Sequence, residues 1–208
     1  MCGGRGTRLD ADAEKPLYRV GGRPMVDRVA DALADATAVD RTAFVVSPHA
    51  PATRDHVAER VATAADSGLV DAPGDGYVDD LGYALDRVGT PVATVAADLP
   101  LVAGDAVDGV LGAFSGDSLA VYVTAARKRR LGVSVDTTRP VDGRELAPTG
   151  LNVVADGDGE ATLVVDDDRL AVNVNRPRDA AVATALLRAG GDGPGGRTTG
   201  RNDDADPE

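Results

Sequence analysis

Residues 91–101 read PVATVAADLPL, and the organisation of the rest of the chain follows from this stretch. A short, Val-rich apolar run bounded by Pro has the pattern of a buried strand. It closes on Asp98, which places a carboxylate at the strand's carboxyl end. On either side the period changes, since YVDDLGYALDRV (77–88) and GDAVDGVLGAF (104–114) space their apolar residues as a helix does. The alternation continues outward. TAFVVS (42–47), LVDA (69–72) and SLAVYVTAA (118–126) read as strands. PMVDRVADALADA (24–36) reads as a helix with Val26, Val29, Ala30 and Leu33 on one face and Pro24 suited to its first turn. ATRDHVAERVATAA (52–65) is another, with Thr53 as its expected cap. The second half is richer in strands, GVSVDT (132–137), GLNVVA (150–155) and RLAVNVN (169–175), before a last helix, PRDAAVATALLRA (177–189).

Strand–helix alternation of this kind predicts an α/β fold: a single Rossmann-like, three-layer domain around a mostly parallel sheet. At 208 residues the chain suits one domain, expected over 1–189. From 190 the sequence GGDGPGGRTTGRNDDADPE offers almost nothing apolar to anchor it, so residues 190–208 are expected to form a disordered acidic tail. In such sheets ligands sit beyond the carboxyl ends of the strands. Residues 3–8, Ser47-Pro48, Asp71 to Tyr77 and Asp98 all follow predicted strands and should meet on one rim.

The net charge of −12 is built from 29 Asp, 5 Glu, 20 Arg and only 2 Lys. An Asp-rich, Lys-poor composition is that of a halophilic protein kept soluble in concentrated salt, with an acidic mesophile as the plainer alternative. Either way it disfavours general nucleic-acid binding, which needs a cationic face. No 18-residue apolar run is present, so no membrane insertion is expected, and the absence of a secretory leader pattern predicts a cytoplasmic protein. Cys2 is the single cysteine, and His49 and His56 have no third partner in view, which argues against thiolate and zinc sites. Residues 1–28 carry six bases and four acids, a net +2 in a chain otherwise at −14. A locally positive stretch beside a glycine-rich loop suits a small anion.

That loop is GGRGTR (3–8). Glycine amides can turn toward phosphate oxygens with no Cβ in the way, and Arg5 and Arg8 add charge-assisted donors. It is neither a P-loop nor a dinucleotide fingerprint. EKPL (14–17) and GGRPM (21–25) follow it in order. G-G-x-G-T-R-L, K-P-L and G-[KR]-P-M together resemble the nucleotidyltransferase superfamily that joins NTPs to phosphorylated acceptors, with a nucleotide-diphospho-sugar transferase type of fold. The resemblance implies that Gly3, Gly4, Gly6, Thr7 and Arg8 wrap a triphosphate and that Lys15 neutralises it. It implies that Asp98, in AADLPL, is a Mg²⁺ carboxylate. A second metal ligand would be Asn175 in AVNVNRP, with Asn173 as the near competitor. Arg8, Lys15 and Asp98 are therefore the expected catalytic residues.

VVSPHAPATRDHV, APGDGYVDDL, APTGLNVV and LAVNVN carry a finer resemblance, from Gly3 to about Leu187, to the archaeal adenosylcobinamide-phosphate guanylyltransferases of cobamide (cobalamin) biosynthesis. This implies GTP and adenosylcobinamide phosphate as partners and leaves room for a homodimer. Selecting guanine needs an acceptor facing N1–H and the 2-amino group, to come from Gly74 to Asp80 (Gly76, Tyr77 and Asp80 among them) or from near Ser47. Asp79 and Asp80 read equally well as first-turn helix acids. Gly150 would allow close ligand approach before a strand, or be an ordinary turn glycine. RKRR (127–130) reads either as a solvated basic loop or as a contact for the acceptor's phosphate. Molybdopterin guanylyltransferase and a non-catalytic guanine-nucleotide-binding module are the rival functions. The family begins with an apolar strand leading into the glycine loop, where this chain has only Met1 and Cys2. The resemblance therefore leads us to expect an upstream start, and poor stability and activity for a chain beginning at Met1.

Overall fold

The computed structural model describes residues 1–2, 9, 13–157 and 159–191. The chain first forms a hairpin of β1 (Arg19–Val20) and β2 (Arg23–Pro24), then α1 (Met25–Asp35), which buries Met25, Val26, Val29, Ala30 and Ala32. β3 (Thr42–Val46), α2 (Pro51–Val61) and β4 (Ser67–Asp71) form a βαβ unit in which β3 and β4 are parallel. α2 is not capped by Thr53 as expected. Instead the Glu14 carboxylate accepts from Ala52 N at 2.9 Å and Thr53 N at 2.6 Å, which satisfies amides of the first turn from outside. α3 (Tyr77–Val88) starts and ends where its periodicity predicts.

β5 (Val92–Val95), α4 (Gly104–Gly112), β6 (Ser118–Thr124), α5 (Ala125–Leu131), β7 (Arg139–Val141), β8 (Arg144–Val154), β9 (Glu160–Val164) and α6 (Pro177–Gly191) complete the fold. The order β5-β8-β6-β9 is a mixed sheet in which β8 runs against both neighbours while β6 and β9 are parallel. In β6, Leu119, Val121 and Val123 alternate inward, and they pack with Leu99, Val107, Val110, Leu151 and Leu170 in the largest core cluster. Val and Leu fill this core with few aromatic residues, as the composition requires.

Several sequence expectations fail here for physical reasons. RKRR is not a solvated loop. It lies in α5, where Thr124 Oγ1 caps Arg127 N and left-handed Gly132 ends the helix. GVSVDT forms no strand and passes from α5 to β7 as a loop. RLAVNVN keeps the alternation of a strand without a partner: a 3₁₀ turn at Arg169–Ala171 leads into extended chain. β7 and β9 were not legible. α6 continues to Gly191, and the remainder of the expected tail lies outside the described residues. No described helix is long and apolar enough to cross a membrane.

β3 and β5 do not pair with each other. Among the described residues only Met1 and Cys2 lie between them, with Met1 N donating to Val95 O at 2.9 Å, Ala97 N to Met1 O at 3.2 Å and Cys2 N to Val45 O at 2.8 Å. Beyond Met1 a cleft of about 500 Å³ separates the two strands, lined by Val45, Val70, Leu85, Val92 and Val95 among others.

Candidate active site

β5 delivers Asp98. Ala96 N is held by Gly150 O at 2.8 Å, and Asp98 O accepts from Val174 N at 2.9 Å, which staples the extended 172–175 segment to the strand end. Val172 and Val174 are fully buried, so alternation turns Asn173 and Asn175 to the opposite side, where Asp98 lies. From the other direction the 3₁₀ turn Lys15–Leu17 brings in Lys15, whose Nζ is 2.5 Å from Asp98 Oδ2 and 2.6 Å from Asn175 Oδ1. Three segments far apart in sequence thus meet in one cluster.

Asn173 is held even more tightly than Asn175. Its Nδ2 donates to Thr149 O at 2.7 Å and Asp98 Oδ1 at 3.2 Å, while its Oδ1 accepts from Lys128 Nζ at 2.8 Å. Thr149 can offer its carbonyl because β8 is irregular there: the β6–β8 register shifts between Ala120 and Tyr122, and Gly150 has φ +86°. Side chains repair the broken ladder. Thr149 Oγ1 donates toward Val121 O and accepts from Leu151 N, both at 3.1 Å, and Asn152 Oδ1 accepts from Val121 N at 3.2 Å. A Cβ on Gly150 would stand 3.0 Å from Ala96 Cβ and 3.3 Å from Asn173 Nδ2. The missing side chain therefore makes room for Asn173 and β5, and the bulge re-aims the carbonyl toward the site.

A second carboxylate fixes the Asn175 end. Asp179, in the first turn of α6, accepts from Asn175 N at 3.0 Å and Arg176 N at 2.9 Å, the acidic half of a capping box. It also takes Ser134 N at 2.8 Å and the Ser134 hydroxyl. Burial alone would raise this carboxyl, but these hydrogen bonds prevail and hold it below the usual range. Asp136 accepts from Asn175 Nδ2 at 2.9 Å and pairs with Arg176 at 2.5 Å.

Beside the cluster opens a cavity of about 470 Å³. Lys15, Asp98, His49, Gly76, Tyr77 and Asp80 contribute to its walls, with Met1 and Cys2 at the β3–β5 side. Asp80 Oδ1 accepts from Gly74 N at 2.7 Å, and His49 Nε2 lies 3.1 Å from Gly74 O, so the 47–49 and 74–80 segments are tied together. Gly74 has φ +87° and lies so close to Pro48 that a Cβ would approach to 2.8 Å. Tyr77 exposes 56% of its surface, yet partial burial of its phenol and the nearby Asp98 carboxylate raise its pKa above the ordinary tyrosine value. Ser47 is buried at the end of β3 and is not among the cavity walls. Asp71 and Arg23 turn away to ion pairs with Arg54 and Asp31.

Gly3, Gly4, Gly6, Thr7 and Arg8 lie outside the described residues. Among the described residues no three His, Cys, Asp or Glu side chains converge as a metal cluster. The oxygens of Asp98 and Asn175 do share one cationic point, filled by the Lys15 ammonium. One carboxylate and one amide oxygen are hard donors of the kind a magnesium ion takes when substrate phosphates and water supply the rest. Sequence reading names Asn173, His49 and the RKRR run but not the contacts they make here, and it passes over Thr149 and Asp179. The only local signals were a polar residue alternating with Val at 173 and a Thr beside a glycine at 149.

The chain matches the family model for a MobA-like NTP transferase domain over residues 1–147. The chain belongs to the MobA-like NTP transferase family. It is thus a nucleotidyltransferase enzyme. Over 200 residues it is 27% identical to the adenosylcobinamide-phosphate guanylyltransferase of Methanocaldococcus jannaschii, covering 92% of this chain and 97% of that protein. It is 32% identical over 183 residues to the bifunctional protein GlmU of Sinorhizobium fredii, covering 87% of this chain but 34% of that one. The fold resembles a putative glucose-1-phosphate thymidylyltransferase from Bacillus anthracis, with TM-score 0.63, 14% identity and coverage of 90% and 93%. It also resembles a CMP:2-keto-3-deoxy-manno-octonic acid synthetase, with TM-score 0.57, 14% identity and coverage of 88% and 96%. Fold and family therefore agree with an α/β nucleotidyltransferase.

Proposed function

We propose that this MobA-like transferase moves GMP from GTP to adenosylcobinamide phosphate, giving adenosylcobinamide-GDP and pyrophosphate in cobamide biosynthesis. The observation that carries the reading is end-to-end similarity to the M. jannaschii guanylyltransferase, combined with the Lys15–Asp98–Asn175 cluster at the cavity rim. An acceptor phosphate oxygen attacks the α-phosphorus of GTP in line. The new P–O bond forms as the bond to the β-phosphate bridging oxygen breaks, and that oxygen leaves with pyrophosphate. The acceptor is already an anion, so no general base is required, and positioning with charge neutralisation supplies the catalysis.

Asp98 and Asn175 would hold Mg²⁺, which when bound draws charge from the phosphate oxygens. Lys15 hands its two oxygen partners over and turns its ammonium to the triphosphate. The Gly3–Arg8 loop would cradle that triphosphate. Tyr77 offers a ring face to the base at the cavity mouth, and Asp80, already bonded to Gly74 N, fixes the main chain from Gly74 to Tyr77 whose polar groups would select guanine. The Asp-rich composition makes concentrated salt the working medium for assays.

The test is pyrophosphate release from each of the four NTPs, in concentrated KCl, with adenosylcobinamide phosphate or molybdopterin as acceptor. The proposal expects turnover with GTP and adenosylcobinamide phosphate. Turnover only with molybdopterin would move the chain to that branch, and tight GTP binding with neither acceptor consumed would make it a binding module.

A further inference from the structure

The chain has two lysines against twenty arginines, and both stand at Asp98. Lys15 bonds Asp98 directly. Lys128, the one side chain of the RKRR run that is deeply buried, at 4% exposure, reaches it through Asn173. Elsewhere the domain uses arginine, as in Arg23–Asp31, Arg54–Asp71, Arg129–Glu145 and Arg169–Asp105. Arginine therefore serves where pairing on an open surface is enough, and a compact ammonium appears only around Asp98.

Lys128 makes little sense as a device for stability. Burying an ammonium carries a desolvation penalty that a good ion pair can offset, and the side chain it bonds is a neutral amide. Burial pushes its pKa down, while the Asp98, Asp179 and Asp136 carboxylates around it pull the other way. What the ammonium does uniquely is orient an amide. Thr149 O and Asp98 Oδ1 are acceptors and require Nδ2 of Asn173, while Lys128 is a donor and requires Oδ1, so all three partners select one orientation. With Lys128 gone, the part-buried Asn173 Oδ1 would lose this donor. Thr149 O and Asp98 Oδ1 would still favour Nδ2, but the side chain would lose one of its three anchors and with it a fixed hold on the carboxylate.

We propose that Lys128 is a positioning residue of the transfer site, acting through Asn173 to aim the Asp98 carboxylate at the cation that accompanies the nucleotide. The assignment rests on the nucleotidyl-transfer reading of the Asp98 cluster. Lys128 is not among the walls of the cavity beside Asp98; its part is to set the direction of the carboxylate that is. Residues that orient a metal's ligands typically change metal affinity or activity by roughly 10–100-fold when replaced.

The experiment compares the wild type with Lys128→Met, Lys128→Gln, Asn173→Ala and the Lys128→Met/Asn173→Ala double variant. Mn²⁺ affinity in the presence of GTP, thermal midpoint, and kcat and KM for GTP are measured for each. Lys128→Met should weaken Mn²⁺ binding about 10-fold or more and lower kcat, with the midpoint unchanged or raised, because an apolar isostere replaces a buried charge. Lys128→Gln keeps an N–H donor and should regain part of the loss. It also carries the test if the Met variant does not fold. The double variant should be no worse than Asn173→Ala, since one residue acts through the other. Wild-type Mn²⁺ affinity in Lys128→Met, losses that add in the double variant, or a fall in midpoint with affinity intact would overturn the proposal. A wild type that binds Mn²⁺ and GTP yet transfers nothing refutes the proposed acceptor alone, and the affinity ratios still decide the role of Lys128.

Discussion

Lys15 and Asp98 are joined by an ion pair of 2.5 Å across 83 positions of sequence, and both side chains keep under a fifth of their surface exposed. Asn175 Oδ1 shares the same ammonium. Under the proposed function this is a resting arrangement, in which the lysine holds the two oxygens until a nucleotide brings a metal cation and a triphosphate that draws the lysine away.

The β8 bulge behind Asn173 depends on one hydroxyl. Thr149 Oγ1 serves Val121 O and Leu151 N at a fully buried position. Thr149→Val keeps the shape and leaves both main-chain groups without a partner, at an expected cost of about 1–3 kcal/mol. Urea unfolding should show a lower midpoint with an unchanged m-value. An unchanged midpoint would mean the bulge holds without the hydroxyl.

Asp179 makes stability depend on acid pH. Its folded pKa is depressed, so its contribution is present above the ordinary carboxylate value near 3.8 and is lost as pH falls through the lower folded value. Asp179→Ala should cost about 1–3 kcal/mol at pH 7, by losing a cap and several charge-assisted bonds. The gap from wild type should shrink as pH is lowered below about 4, where Asp179 of the unfolded chain begins to take up a proton that the folded chain still refuses. A gap independent of pH would contradict the assigned cause.

Tyr77 stands at the cavity mouth with its ring half open and its phenol within electrostatic reach of Asp98. If its face receives the base, Tyr77→Ala should weaken GTP binding by about 1–3 kcal/mol, seen as a rise in KM of roughly tenfold with kcat little changed. Tyr77→Phe should bind as the wild type does.

Among the described residues β3 and β5 each have one strand neighbour, and Met1 and Cys2 alone bridge them. An apolar segment of about five residues added before Met1 can bury two or three large side chains in the cleft, at about 1.5–3 kcal/mol each. The thermal midpoint should rise on the order of 10 °C. The same extension with a central Pro, which cannot complete a ladder, should raise it much less. Equal midpoints for the two extensions would show that the cleft does not take a strand.

The sequence made the strand-end position of Asp98 legible because an apolar run and its punctuation are local. Lys15 and Asn175 were legible through resemblance, since nothing local says that positions 15 and 175 meet. The sequence offers Asn173 and Asn175 as competitors for one role, but the fold gives the two different tasks: Asn175 shares the Lys15 ammonium while Asn173 grips the carboxylate. Lys128 was obscured because four cations in a row give no local reason to bury the second. Only the direction in which α5 leaves β6 turns it inward. RLAVNVN misled for the opposite reason: its alternation is real and sorts Val from Asn, but pairing is decided by neighbours that the sequence pattern does not contain.

The measurement that bears most directly on the Asp98 centre is the pyrophosphate-release rate of Asp98→Asn with saturating GTP and acceptor, taken alongside its thermal midpoint. Asn keeps the size and hydrogen-bonding capacity of the side chain and removes the charge. A loss of turnover of at least about 100-fold, with the fold intact, is the expected result. A folded Asp98→Asn protein releasing pyrophosphate at the wild-type rate would show that the chemistry lies elsewhere.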